Sequence, residues 1–164
     1  MNVNQAPPPG GLTAIVSRWT DAQRAHLVLR LTLGVNIAAH GLSRIASPGA
    51  FADGLARDFQ ATWLPAWSVR TFALGLPFVE LIVGLAILAG LRTRAALAAG
   101  GLVIAALTFG SCLRQAWELA GMQLLYALAY YVLAARAGDL RLTLDDWLAA
   151  PRASAAVTPR ASAV

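Results

Sequence analysis

Asn36, His40 and Arg44 recur every four residues, and Glu80 stands inside a second apolar run further along the chain. A spacing of four places the first three on one face of a helix. An imidazole both donates and accepts protons, a carboxylate accepts them, and a guanidinium stabilises developing negative charge. Such a set suits hydrogen bonding and proton exchange with the oxygens of a small lipid-soluble ligand, of which a quinone is the natural example. His40, Glu80 and Arg44 are therefore the candidate catalytic groups, and Asn36, Gln123 and Tyr126 the candidate ligand contacts. The competing reading is that these groups only tie helices together, because ionisable side chains inside a membrane pair for either reason.

Other cofactor chemistry fits poorly. His26 and His40 are about 21 Å apart along one helix, too far to clamp a single iron. A His40–Met122 haem pairing is a weak option, and one histidine with Glu80 and Glu118 falls short of the usual metal donor set. No metal or haem is predicted, and quinone is the expected cofactor. Cys112 is the single cysteine, which excludes an internal disulfide or CxxC pair and reads as a buried structural thiol. Tyr126, Tyr130 and Tyr131 read as packing and interface residues rather than redox relays.

The elements that must position these groups follow from composition. The chain has 164 residues, 58% hydrophobic and only 13% charged, against about a quarter charged in a soluble domain. That points to an integral membrane protein in contact with the lipid bilayer. The net charge is +5 and every basic residue is arginine. The arginines stand singly or in pairs at the ends of apolar runs, as topology determinants do, which argues against nucleic-acid binding.

Residues 1–19 read as a flexible segment, with Pro7-Pro8-Pro9, a short interfacial helix from Leu12 to Trp19 and no signal-peptide pattern. Residues 20–147 read as one membrane domain and residues 148–164 as a disordered Ala/Ser/Pro-rich tail. Thr20 and Gln23 match a capping box that opens a first span running to about Ile45. Ser47-Pro48 starts a short amphipathic helix with Phe51, Leu55 and Phe59 opposite Asp53 and Arg57. Trp63, Pro65 and Trp67 then suit an interfacial belt. Further spans are expected over Thr71–Leu91, kinked at Pro77, over Ala95–Leu113 and over Leu119–Ala135, after which Arg136–Trp147 re-enters water. The expected fold is an all-α integral membrane protein: an antiparallel bundle of four transmembrane helices with a short amphipathic helix in its first outer loop.

Arginine counts orient it. Arg18, Arg24, Arg92, Arg94, Arg136, Arg141, Arg152 and Arg160 share one side, against Arg44, Arg57, Arg70 and Arg114 on the other. The majority side is cytoplasmic, so both termini are expected there. The outer half then holds a polar pocket and the inner half a plain apolar core, with Arg30 snorkelling to the inner interface. Phe51, Phe59, Trp63 and Trp67 are candidates for docking a partner protein from the outer loop.

Arg30, Gly34, His40-Gly41-Leu42 and Arg44, followed by Glu80, Gly84 and the Gly90-Leu91-Arg92-Thr93-Arg94 turn, resemble the DoxX/DoxD family of small bacterial membrane proteins. Gly138 with Leu142-Thr143-Leu144-Asp145 resembles that family's C-terminal Gly…Ser-Leu-Asp signature, with Thr143 in place of serine. Arg44 stands where a lysine commonly follows the His-Gly-Leu motif. The resemblance covers about residues 25–147 and implies a four-helix bundle in the bacterial inner membrane, as a subunit of a quinone-linked redox or respiratory complex. One branch of the family is the membrane part of a thiosulfate:quinone oxidoreductase, and if the chain is enzymatic this is the expected type. The alternative is a non-catalytic anchor that docks a partner subunit. Related folds that do dithiol chemistry are excluded by the single Cys112.

Overall fold

A computed structural model describes residues 19–148, so the expectations for residues 1–18 and 149–164 lie outside the described residues. Five helices carry the fold: α1 (Asp21–Ile45), α2 (Pro48–Asp58), α3 (Ala66–Ala89), α4 (Thr93–Leu113) and α5 (Trp117–Ala135). No strand occurs among the described residues.

The capping box opens α1 as its sequence predicts. The Gln23 N–H donates to Thr20 Oγ1, and the Thr20 N–H donates to the Gln23 side chain, both at 3.2 Å. α2 begins at Pro48, although Ser47 makes no side-chain cap bond. α3 starts at Ala66, five residues ahead of the expected Thr71. Pro65 occupies its N-cap with an extended backbone, so Trp67 and Arg70 belong to the helix rather than to the preceding loop. The helix then continues through Pro77 to Gly90, whose φ of 67° supplies a left-handed C-cap.

α3, α4 and α5 are each long and apolar enough to cross a membrane, with mean hydropathies of 2.3, 2.0 and 1.3. Their outward residues include Ile82, Leu85, Leu102, Phe109, Leu124, Leu125 and Leu128, all exposed. An apolar surface on this scale belongs in lipid, and the protein is a membrane protein. α1 has the length, at 25 residues, but carries the polar stripe of Arg30, Asn36, His40 and Arg44.

Lipid tails remove the hydrophobic drive between helices, so close packing must hold them. Glycines supply it at the α1–α3 seam. Gly34 faces Leu88, Ala38 faces Gly84, and Gly41 faces Pro77 and Leu81, so the two helices run in opposite directions. A Cβ on Gly41 would lie 2.5 Å from the backbone of both Pro77 and Leu81. Gly100 of α4 likewise leaves room for the ring of Tyr130 on α5. The core between these seams contains Leu33, Ile37, Val83, Ile87, Leu97, Ile104, Tyr130 and Leu133.

At the Arg30 end the structure departs from the expected plain apolar core. Arg30 does not snorkel: it is 1% exposed, and its Nη2 donates to the Leu142 carbonyl at 2.9 Å. Nearby, His26 is buried with its Nε2 3.2 Å from the Leu133 carbonyl, joining α1 to α5. Residues 140–148, expected in water, hook back under the α3–α4 turn. The Asp145 carboxylate accepts the backbone N–H groups of Arg92 at 2.8 Å and Thr93 at 3.1 Å, and the Asp145 N–H donates to the Gly90 carbonyl. The cause lies in α4 itself. Its N-cap is Arg92 in a left-handed conformation with no capping side chain, so its first N–H groups need an imported acceptor.

These bonds, that from Arg92 first, hold the Asp145 carboxyl below the usual carboxylate range. The folded-state value is depressed, so the stabilisation is present above the unfolded value of about 3.9 and is lost as pH falls through the folded value. Thermal unfolding in mild detergent should show the midpoint falling with pH below about 4. Asp145→Asn should lower the midpoint at pH 6, by about 1 kcal/mol of stability, and flatten the acid limb. An unchanged acid limb in that variant would show that this cap does not set it.

Candidate functional site

The Arg44 end is built differently. A cavity of about 560 Å³ opens between α1, α3, α4 and α5 toward their Arg44 end, with Phe51, Leu55 and Phe59 lining it from α2 and its C-cap. Its walls are mostly apolar, from Leu33, Ile37, Leu76, Ile104 and Leu107, with polar groups entering at a few points.

α1 contributes Asn36, His40 and Arg44 from the face that its four-residue spacing dictates. Glu80, 3% exposed, enters from α3. Arg44 Nη1 donates to both Glu80 oxygens, at 2.7 and 2.6 Å. Arg44 also lies over the Phe51 ring, 4.7 Å from its centroid. One guanidinium thus joins α1, α2 and α3. Arg114 does the same on the far side. It donates to Asp58 at 2.7 Å and lies 5.2 Å from the Phe59 ring centroid, joining α4 to α2. Arg70 adds a third tie to α2 through Asp53, at 2.7 Å. An amphipathic helix held by three arginines closes the cavity's end.

All six polar candidates from the sequence line this one cavity: His40, Glu80, Arg44, Asn36, Gln123 and Tyr126. Glu80 and Arg44 occupy each other, whereas His40 is exposed and, with Asn36, also borders a shallow depression on the outer face of α1. These two residues form the wall between the cavity and the protein surface.

The four aromatic docking candidates separate. Trp63 and Trp67 are exposed, at 71% and 72%. Phe51 and Phe59 instead turn inward and line the cavity. Phe59 is buried because it packs where Gly110 on α4 lacks a side chain. This corrects the reading of Phe51 and Phe59 as an outward docking face: the apolar face of α2 is spent on its own bundle. Cys112 is exposed rather than buried.

Tyr130, read from the sequence as a packing residue, does pack in the core but also reaches the cavity. It is 4% exposed, lines the cavity, and its hydroxyl has no hydrogen-bond partner. The signal was available, since Gln123, Tyr126 and Tyr130 fall at i, i+3 and i+7 and so share one face of α5. Among the described residues no group of three His, Cys, Asp or Glu side chains could hold a metal ion.

Comparison with known proteins places this architecture. No characterised protein and no solved structure matches the chain. The DoxX family model matches residues 25–111, more than half of the sequence, covering most of α1, all of α2 and α3 and nearly all of α4. The C-terminal hook lies past the end of that match. The chain belongs to the DoxX family.

Proposed function

We propose that this protein is a four-span DoxX-like subunit of a redox complex in the bacterial inner membrane, with both termini cytoplasmic, and that its cavity receives a quinone-type ligand from the bilayer. The observation that carries the reading is the convergence of six polar side chains from three helices on one largely apolar cavity of about 560 Å³. That volume lies inside the range of small-molecule sites, about 300–1,000 Å³. α2 closes the cavity's end, while Asn36 and His40 border both the cavity and the surface of α1. Entry is then sideways, from lipid, which suits an apolar molecule with a polar head.

His40 stands at the mouth, where an imidazole can pass a proton between ligand and surroundings. Arg44 pairs with Glu80 at 2.6 Å and brings its guanidinium to the cavity wall. Asn36, Gln123 and Tyr126 orient the head group by hydrogen bonds.

The test is direct binding. The purified chain in nanodiscs is titrated with decylubiquinone. Saturable one-to-one binding is expected, weakened about tenfold in His40→Ala, which removes a hydrogen bond to the head group. The absence of saturable binding would overturn the proposal.

The exposure of Trp63 and Trp67 supports a second reading, a non-catalytic anchor that docks a partner subunit through this loop. Purification from native membranes should then co-isolate one protein in fixed ratio, and Trp63→Ser with Trp67→Ser should release it. A chain that purifies alone argues against this reading.

A further inference from the structure

The hydroxyls of Thr32, Ser43, Ser68, Thr71 and Thr108 each donate to a carbonyl three or four residues back in their own helix or its cap. A helix absorbs a small polar side chain in an apolar layer this way. Ser111 does not. It is 5% exposed, it lines the cavity from α4, and its hydroxyl has no partner among the described residues. Its oxygen keeps accessible surface, and what lies before it is the cavity. Buried hydroxyls are almost always bonded, so an open one marks a place for an outside partner. Arg114 follows three residues later and lines the same cavity. One of its N–H groups goes to Asp58, whose side chain is 59% exposed, and the rest of its fork has no acceptor among the described residues.

Ser111 and Arg114 stand across the bundle from His40 and Arg44. α1 packs on α3 and α5, and α4 packs on the same two helices, so α1 and α4 are diagonal. Arg44 rests on Phe51 and Arg114 on Phe59, which are about 12 Å apart along α2. The cavity thus has two polar stations separated by a space of head-group size. Both present guanidinium N–H groups, which only donate. Resting on the quinone-type reading of the cavity, we infer that the head group is held at two opposite edges, one oxygen by His40 and Arg44 and the other by Ser111 and Arg114. The class of ligand this selects is a ring with acceptor oxygens on both edges, in preference to an apolar molecule with a single polar group.

The experiment varies both the ligand and the second station. The full chain in nanodiscs is titrated with decylubiquinone and, separately, with 2-decylcyclohexanone, a ring bearing one oxygen. The dione is expected to bind more tightly. Ser111→Ala should weaken the dione about fivefold. Combined with His40→Ala, the two losses should multiply, because the residues act on separate oxygens. The one-oxygen ring should respond to no more than one of the two substitutions. Without ligand, Ser111→Ala should keep or raise the thermal midpoint, since no bond within the protein is lost. A dione affinity unchanged in Ser111→Ala, a lowered midpoint of that variant, or a one-oxygen ring bound as tightly as the dione would each overturn the inference. Saturable dione binding weakened by His40→Ala would still leave the cavity's ligand class standing. Absence of dione binding would overturn both readings.

Discussion

Glu80→Ala is expected to destabilise the bundle by about 3 kcal/mol, because it leaves Arg44 facing a buried site with no counter-charge. The Glu80 side chain is 4% exposed and that of Arg44 27%, so little water is on hand to compensate. The effect should spread beyond one contact. Arg44 also lies against Phe51, so freeing it loosens the seating of α2 as well as the α1–α3 pair. Thermal unfolding followed by size-exclusion elution measures the first consequence, and faster proteolysis within residues 46–65 measures the second. Glu80→Gln keeps an acceptor for Arg44 and should lose clearly less. A cycle built from Glu80→Gln, Arg44→Met and the double variant should give a coupling above ~1 kcal/mol. A coupling near zero would mean that the pair is incidental to stability.

The largest packing effect is expected from Gly84→Leu. A Cβ there would meet the backbone nitrogen, Cα and Cβ of Ala38 at or below 2.8 Å. A flexible side chain could turn aside, but backbone cannot, so α1 and α3 would have to separate. Overpacking of this kind costs about 3 kcal/mol or more and here acts on the main seam of the fold. The expected result is loss of a monodisperse peak in mild detergent, with Gly84→Ala showing a milder form of the same loss. Ala38→Gly should not rescue either variant, because the collision is chiefly with main-chain atoms. Gly75→Ala is the control. Nothing lies within 4 Å of its Cβ position, so the change should be neutral or slightly stabilising through helix propensity. Equal behaviour of the Gly75 and Gly84 variants would contradict the packing account.

The helices and the cavity's polar lining were legible in the sequence because both depend on local spacing. The capping box at Thr20 and Gln23 marks the start of α1 within a turn, and the four-residue rhythm of Asn36, His40 and Arg44 survives folding unchanged. The sequence grouped Glu80 with the polar face of α1, but that Arg44 rather than His40 is its partner is seen only in the fold. What was not legible depends on the third dimension. Phe51 and Phe59 have the spacing of any amphipathic helix, and spacing cannot say whether the apolar face meets lipid, a partner or the protein's own cavity. The Asp145 cap joins residues 52 and 53 positions apart through backbone N–H groups, which leave no side-chain pattern to read. Its one trace is a deficiency: α4 opens after Leu91-Arg92 with no residue able to cap it. Arg30 was misplaced for the same reason, since its acceptor is a main-chain carbonyl on the returning segment.

That carbonyl has a consequence for how the protein is made. Leu142 follows Arg30 by 112 residues, so the acceptor does not exist when α1 leaves the ribosome. Arg30 therefore waits through the synthesis of three further long helices with its charge unsealed, held by water or by the insertion machinery. α1 takes its final seat only after the chain has passed Leu142 and folded back beneath the α3–α4 turn. The first of the described helices is thus sealed by a segment that is synthesised after all the other long helices.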